Sequence, residues 1–529
     1  MSILSVTFLL FVAGLLIVYY LVPKKIQWCV LLAASMLFYC LGGWRSVGFV
    51  IGTALVSWAC ALGIQKKADA QKAYLKEHKA DLDKAQKDAY KTQMKRSRRR
   101  LLMLCLVFCV ALLAFFKYTR FLLAQFGAES SAFGIWADDA IRLLLPLGIS
   151  FYTFQTVGYV VDVYWGKVKA ERNPLKVLLF TSFFPQITQG PISTWSDLAC
   201  QLFAEHRLDY TNYVRGAERL IWGFFKKMVV ANIVAGYVKD VFTNYPQYAG
   251  LTALAGAFYY SVQIYADFSG YMDIVCGLCQ MLGIRLTENF DRPYFSKSVA
   301  EYWRRWHSSL GAWFKTYIYY PIAVSRWNQR LGKWAKQRLG KAFGDYLPAT
   351  LALVLVWFTT GLWHGASWAY IAWGGVNGLF IIVSMWMERP FAKVKNLLHI
   401  NESAWLWRAF QVLRTFILVT FIKVLPEVGT LRQGLGLWKR IFTEHTIPAS
   451  LGRLLPFATD HAAFFAAAFG IVLMFAVSLL QRKGSVRELL ERRVPYVLRL
   501  LLFAVLFFLI VYFGVPASGG IGGFLYAQF

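Results

Sequence analysis

The chain has 529 residues, of which 58% are hydrophobic, 17% aromatic and only 16% charged. Soluble domains carry roughly 25% charged residues, so this composition excludes a water-soluble fold and calls for a bilayer. The formal charge of +29, from 57 basic and 28 acidic residues, lies in short segments between apolar runs, as in cytoplasmic loops and not as on a nucleic-acid surface.

The first apolar run, residues 2 to 22, is long enough for one crossing, which takes about 20 residues. No small-residue cleavage site with polar sequence behind it follows, and a second apolar run starts at Trp28. The first run therefore reads as a retained helix and not as a removed signal peptide. Lys24 and Lys25 place its end in the cytoplasm and the N-terminus outside. Residues 27 to 42 return outward and 47 to 64 come back. Residues 65 to 100 hold 13 basic and 5 acidic residues, with neither Pro nor Gly. They predict a basic, helical, cytoplasmic excursion whose end, Lys95 to Arg100, meets the anionic lipid surface. Residues 101 to 116 cross again. Residues 125 to 140, with Glu129, Asp138 and Asp139 but no basic residue, fit an external loop, and 143 to 165 return inward.

From the other end, residues 482 to 493 hold 5 basic and 2 acidic residues and belong inside, which puts the C-terminus outside. Residues 461 to 481, 405 to 424, 368 to 387 and 347 to 363 then alternate, with the basic stretch 326 to 341 inside. Between these ends, residues 174 to 200 and 213 to 320 are apolar but broken by Pro185, Pro191, Gly216, Gly223 and Pro293. They carry Asp267, Asp273, Glu288, Arg304 and Arg305. Broken, charged segments at membrane depth persist only where protein buries them or where they line water. The expectation is an all-α polytopic membrane protein with about 11 or more transmembrane helices, plus re-entrant or tilted helices around a central cavity. It divides into N-terminal transmembrane helices (1–64), the basic excursion (65–100), a core (101–390) and C-terminal transmembrane helices (391–529). No inverted repeat is visible, which weighs against common secondary-transporter folds.

Of the seven His, His78, His206, His399, His445 and His461 fall in polar connections or at segment ends and read as ordinary surface residues. His364 closes an apolar helix that starts near Leu347. Gly361 and Gly365 flank it, which predicts room for an approaching substrate; the alternative is a His hydrogen-bonded between helices. His307 sits in the run Tyr302 to Leu310. At helical spacing Trp303, His307, Leu310 and Phe314 share one face, Arg304 and Arg305 point elsewhere, and Glu301 is within reach of both. This is either a structural polar network or a channel wall that contacts a polar donor. Of the eight Cys, most lie in apolar runs as reduced thiols, and Cys276 and Cys279 read as small helix-packing residues. There is no Ser nucleophile elbow, no phosphate loop and no metal quartet. Asp267 and Asp273 are six apart, off a common helical face, so no metal site is expected.

Several segments together resemble the membrane-bound O-acyltransferase family over most of the chain. They are Pro146–Gln155, Asp162–Tyr164, Phe183–Gln186, Gly190–Ile192, Tyr265–Asp273, Glu288–Phe290, Arg292–Tyr294, Trp303–His307 and Gly361–Gly365. Two bacterial branches are similar: the alginate O-acetyltransferase type and the D-alanyl transfer proteins of teichoic acid modification. The paired Arg304 and Arg305 and the long C-terminal extension resemble the acetylating branch. The chain departs from it at Gln189, at Ala323–Arg326 and in the tail Leu525–Phe529.

The resemblance implies an enzyme of the bacterial cell membrane that moves an acyl group, acetyl by preference, onto hydroxyls of an extracytoplasmic polysaccharide or cell-wall polymer. It makes residues 101–390 the catalytic core and gives His364 the principal catalytic position and His307 the second. Asp267, Asn289, Trp303, Arg304, Arg305 and Trp363 would lie along the substrate channel. No tightly bound cofactor is implied. The donor is a cytoplasmic thioester, either acetyl-CoA or the phosphopantetheine thioester of an acyl carrier protein. The partners are the bilayer and, outside, the polymer itself or a secreted or membrane-anchored acyltransferase; nucleic acid is not among them. A His with an ordinary pKa near 6.5 suits the deprotonation of a hydroxyl. Two other classes stay open: an acyltransferase of the same fold acting on a lipid or secreted protein, and a non-enzymatic channel or transporter using the charged cavity.

Overall fold

The computed structural model describes residues 2–448, 451–455 and 460–516, so the tail Leu525–Phe529 lies outside the described residues. The described residues are helical and contain no strand. They form two compact units, one drawn from 2–213 with 279–287 and the other from the described residues of 214–278 with 288–516.

The first unit opens with α1 (Val6–Leu21), capped by Ser5, whose hydroxyl accepts from Phe8 N at 3.2 Å. α2 (Gln27–Gly43), α3 (Val47–Glu77) and α4 (Lys84–Gln125) follow. The basic excursion is the polar far ends of α3 and α4, which meet at a turn over 78–83. Asp83 and Gln86 close that turn with reciprocal side-chain to backbone bonds of 2.6 and 3.0 Å. Next come α5 (Ala132–Leu144) and α6 (Ile149–Trp165), bent 83° from one another. Residues 125 to 140 are therefore not simply a loop. Ser131 caps a helix there, and Asp138 pairs with Arg120 at 2.6 Å and with Arg142 at 2.7 Å. The inward run expected from residue 143 starts only at Ile149. Pro146 does not continue α5, and Gly148 adopts φ 67°, where a Cβ would lie 1.8 Å from the Ile187 carbonyl oxygen. The motif residues of this unit work as internal struts. Gln155 donates to Gln186 at 3.3 Å, and Gln186 donates to Pro191 O at 2.9 Å and to Ser193 Oγ at 2.6 Å.

The second unit takes up the helical stretch α7 (Tyr210–Thr243) from Val214 onward. It continues with α8 (Gly250–Met281), α9 (Val299–Arg305), α10 (Ser308–Phe314), α11 (Arg326–Leu339), α12 (Lys341–His364) and α13 (Trp368–Trp386). α14 (Trp405–Glu427), α15 (His461–Leu480) and α16 (Tyr496–Phe513) complete it. α7 and α8 cross backbone to backbone. A Cβ on Gly277 would lie 2.6 Å from Gly216 O, and one on Gly223 would lie 2.7 Å from Gly270 O. Small residues at a crossing are how helices associate in lipid, where apolar burial drives nothing. α16 buries only Leu506 of its 18 residues although it is apolar throughout, which suits a helix facing acyl chains.

Among the described residues, eight helical stretches are long and apolar enough to cross a membrane, or nine if α5 and α6 are one span. The larger count of about 11 takes in α1, only 16 residues long, and separates the halves of the stretch Lys24–Glu77.

Candidate functional site

The candidate residues all lie in the second unit, and their placement begins with a broken helix. Ser298 caps α9, accepting from Glu301 N at 3.1 Å. The helix stops at Arg305. Trp306 is extended, and His307 adopts a left-handed φ of 49° and ψ of 50°. That conformation costs a non-glycine residue roughly 1–2 kcal/mol, so the surroundings must hold it. Segment 288–291 does so: Asp291 N donates to Arg305 O at 3.0 Å and Ser308 N to Asn289 O at 3.1 Å. Ser308 Oγ donates to Glu288 O at 2.6 Å and Ser309 N to Asn289 Oδ1 at 3.0 Å. The expectation that Trp303, His307, Leu310 and Phe314 share one helical face is thereby corrected. The break at Trp306 and His307 separates two short helices and sets His307 at the turn. There it is buried, edge-on to Phe268 with centroids 4.8 Å apart and 6.2 Å from Trp363.

His364 is the last residue of α12 and is 3% exposed. The flanking glycines do not leave room for a substrate, as the sequence suggested; α13 fills that room. A Cβ on Gly361 would lie 2.6 Å from Tyr370 O, one on Gly365 2.1 Å from the Tyr370 ring, and one on Gly374 2.5 Å from Trp357 O. The glycines let α12 and α13 touch, and this contact presses the His364 ring against Trp373, with centroids 4.8 Å apart. Trp363 packs 4.9 Å from His364 and 6.2 Å from His307, so one indole contacts both histidines. Trp303 stacks edge-on to Trp373 at 5.4 Å and donates its indole N–H to Asn377 Oδ1 at 2.9 Å.

His364, Trp303, Trp306, Trp373 and Lys423 surround a cavity of about 30 Å³, space for about one or two waters. Lys423, on α14, is 5% exposed. Its ammonium lies 4.1 Å from the Trp306 ring centre, 4.5 Å from Tyr294 and 5.0 Å from Tyr302, and donates to Tyr294 Oη at 2.7 Å. Sequence reading passed over this residue as part of a crossing. The signal was present: Lys423 is the one ionisable residue between Arg414 and Glu427, and ionisable groups inside a membrane helix are functional candidates by default.

The other candidates divide. Asn289 is 2% exposed and braces the His307 turn as described. It also lines a polar cavity of about 80 Å³ with Arg219, Lys226, Ser269 and Asp273. Asp267 is taken up by a buried ion pair with Lys227. The neighbouring Lys226 reaches the other acid of α8, Asp273, at 2.6 Å, and Arg219 reaches Asp273 at 2.7 Å. A π-helical turn over Phe225–Ala231 gives the two adjacent lysines these separate partners. Arg305 pairs with Glu301 at 2.7 Å and Arg304 is exposed; neither belongs to the wall of the His364 cavity. No cluster of three or more His, Cys, Asp or Glu able to hold a metal occurs among the described residues.

A family model described as the membrane-bound O-acyltransferase family matches residues 169–333, a range that contains His307. The chain is 32% identical over 381 residues to the probable alginate O-acetylase AlgI of Azotobacter vinelandii, covering 72% of this chain and 67% of that protein. It is 31% identical over 391 residues to a peptidoglycan O-acetyltransferase of Helicobacter pylori, covering 69% of this chain and 64% of that one. Similarity extends, at 27% identity over 261 residues, to a teichoic acid D-alanyltransferase of Bacillus subtilis, covering 48% of this chain and 63% of that one.

Proposed function

The chain belongs to the membrane-bound O-acyltransferase family, and from that premise we propose that it transfers an acetyl group from a cytoplasmic thioester to a hydroxyl of a surface polysaccharide or cell-wall polymer. Its standing as a multi-pass membrane O-acyltransferase is the ground on which the finer reading is built. Acetyl is preferred because the relatives that match the greater share of the chain carry acetylase names. The thioester is that of CoA or of an acyl carrier protein, which share the pantetheine arm. The polymer, or a secreted or membrane-anchored acyltransferase that serves it, receives the group on the outer side of the cell membrane. The distribution of Lys and Arg supports this orientation, with both termini outside.

The observation that carries the reading is His364, buried on the wall of a small aromatic cavity, with Trp363 packed against both it and His307. A thioester is already activated toward attack. The remaining need is a base for the acceptor hydroxyl in a place that excludes water, and a positioned base contributes about 10²–10⁴-fold. His364 supplies the base. His307 and the turn that holds it help place the thioester. Asp267 acts through its ion pair, and Trp303 and Trp363 as walls.

The test compares His364→Gln and His364→Ala by the acyl content of the surface polymer and by the melting temperature of each purified protein. Both variants should abolish transfer with little change in melting, because Gln hydrogen-bonds but takes no proton. An active His364→Gln enzyme would refute the assignment.

A further inference from the structure

Lys423 is a buried lysine, and among the described residues it forms no ion pair with a carboxylate. Taking an ammonium out of water is costly unless something pays it back. Here three aromatic faces hold it by cation–π attraction and one phenol oxygen by a hydrogen bond. The arrangement is also directional. Tyr294 donates its hydroxyl proton to Ser261 O at 2.5 Å, so its oxygen accepts from Lys423. An ammonium has three N–H donors. One goes to Tyr294, and Lys423 lines the same cavity as His364.

We propose that Lys423 is the electrostatic half of the catalytic pair: it donates to the oxyanion that forms when the acceptor hydroxyl attacks the thioester. This rests on the acyl-transfer reading above. In the step, the hydroxyl oxygen bonds to the thioester carbonyl carbon while its proton passes to His364. The carbonyl π pair moves onto oxygen, and the Lys423 ammonium meets that charge. Collapse restores the carbonyl and breaks the C–S bond. The departing thiolate takes the proton back from His364, leaving ester and free thiol. A cation held in place before the charge develops needs no reorganisation, and a largely aromatic surrounding of low polarity strengthens its field.

The experiment uses the full-length enzyme in native membranes, titrated with S-acetyl-pantetheine, the arm common to both donors. It reads acetyl transfer to the cells' own surface polymer and records the melting temperature of each variant. Lys423→Met keeps the length and removes the charge. It should lower kcat about 10²–10³-fold, the loss typical of removing one oxyanion donor, with KM for the thioester little changed and melting unchanged or raised. Lys423→Gln, which keeps a neutral donor, should fall between Met and wild type. A wild-type kcat in Lys423→Met overturns the proposal. A raised KM at unchanged kcat overturns it by making Lys423 a binding residue, and a marked drop in melting temperature in both variants overturns it by making Lys423 structural. No transfer by the wild type would instead strike the acyl-transfer reading itself.

Discussion

Gly361→Ala tests whether the contact between α12 and α13 sets the position of His364. A Cβ at Gly361 would lie 2.6 Å from the Tyr370 carbonyl oxygen and 3.2 Å from Ile371 Cα, whereas ordinary contact begins near 3.4 Å. The obstacle is backbone, so α13 must retreat by about 0.8 Å, and overpacking of this kind costs about 1–3 kcal/mol. Against it stands the helix preference of Ala over Gly, up to about 1 kcal/mol. Gly375→Ala isolates the two effects: it lies on the facing helix, and a Cβ there meets nothing within 4 Å. The propensity gain cancels between the variants, so Gly361→Ala should be less stable than Gly375→Ala by the clash alone, about 1–3 kcal/mol. Activity should separate more sharply. Tyr370 and Trp373 sit on α13 and help form the His364 cavity of about 30 Å³, and a misplacement near 1 Å costs on the order of 10²-fold in rate. Thermal melting in detergent and acyl transfer in membranes would be measured side by side. Equal stability and equal activity of the two alanine variants would refute the reasoning.

His307→Gly separates ring from backbone, because Gly adopts a φ of 49° without strain: melting should hold while acyl transfer falls strongly, and retained activity would reduce His307 to a turn residue. Asp267→Asn should destabilise by about 3–5 kcal/mol by leaving the Lys227 charge buried, and the double variant Asp267→Leu with Lys227→Met should recover much of that loss in the same melting assay. A double variant no better than the single one would show that the pair is not what Asp267 serves. Orientation is checked with single cysteines at Ala80 and Ser130 in a Cys-less chain; an impermeant maleimide on intact cells should label position 130 alone, and labelling at position 80 would reverse the topology.

The elements were legible where a single physical signal dominates. Apolar runs of crossing length marked most helices, and the composition of residues 65 to 100 marked the polar ends of α3 and α4. Where two signals meet, the reading went astray. Trp303, His307, Leu310 and Phe314 have helical spacing, but spacing is silent on the four hydrogen bonds from segment 288–291 that hold His307 left-handed. Gly361 and Gly365 announced a close approach, yet a close approach by a substrate and one by α13 leave the same trace in sequence. Asp267 looked like a cavity charge because its partner, Lys227, lies forty residues earlier. Lys423 was visible as an isolated charge, but Tyr294, Tyr302 and Trp306, which make its cage, are more than a hundred residues away, beyond the reach of any local pattern.

The π-helical turn in α7 shifts the phase of everything after it. A π turn carries one residue more than an α turn, and one residue is about 100° of rotation. Gly216 and Gly223 before it address Gly277 and Gly270, whereas Val241 after it addresses Gly256 at the other end of α8, where a Cβ would lie 2.7 Å from the Val241 side chain. The irregular turn also hosts a tether for the chain beyond α16. Val515 N donates to Met228 O at 3.1 Å, and Asn232 returns a bond to Val515 O at 2.6 Å. Removing a single residue from Phe225–Ala231 would therefore act like a frameshift in three dimensions. The remaining helix would be more regular than before, yet its residues from Asn232 to Thr243 would face a new direction, and Val515 would lose its mooring.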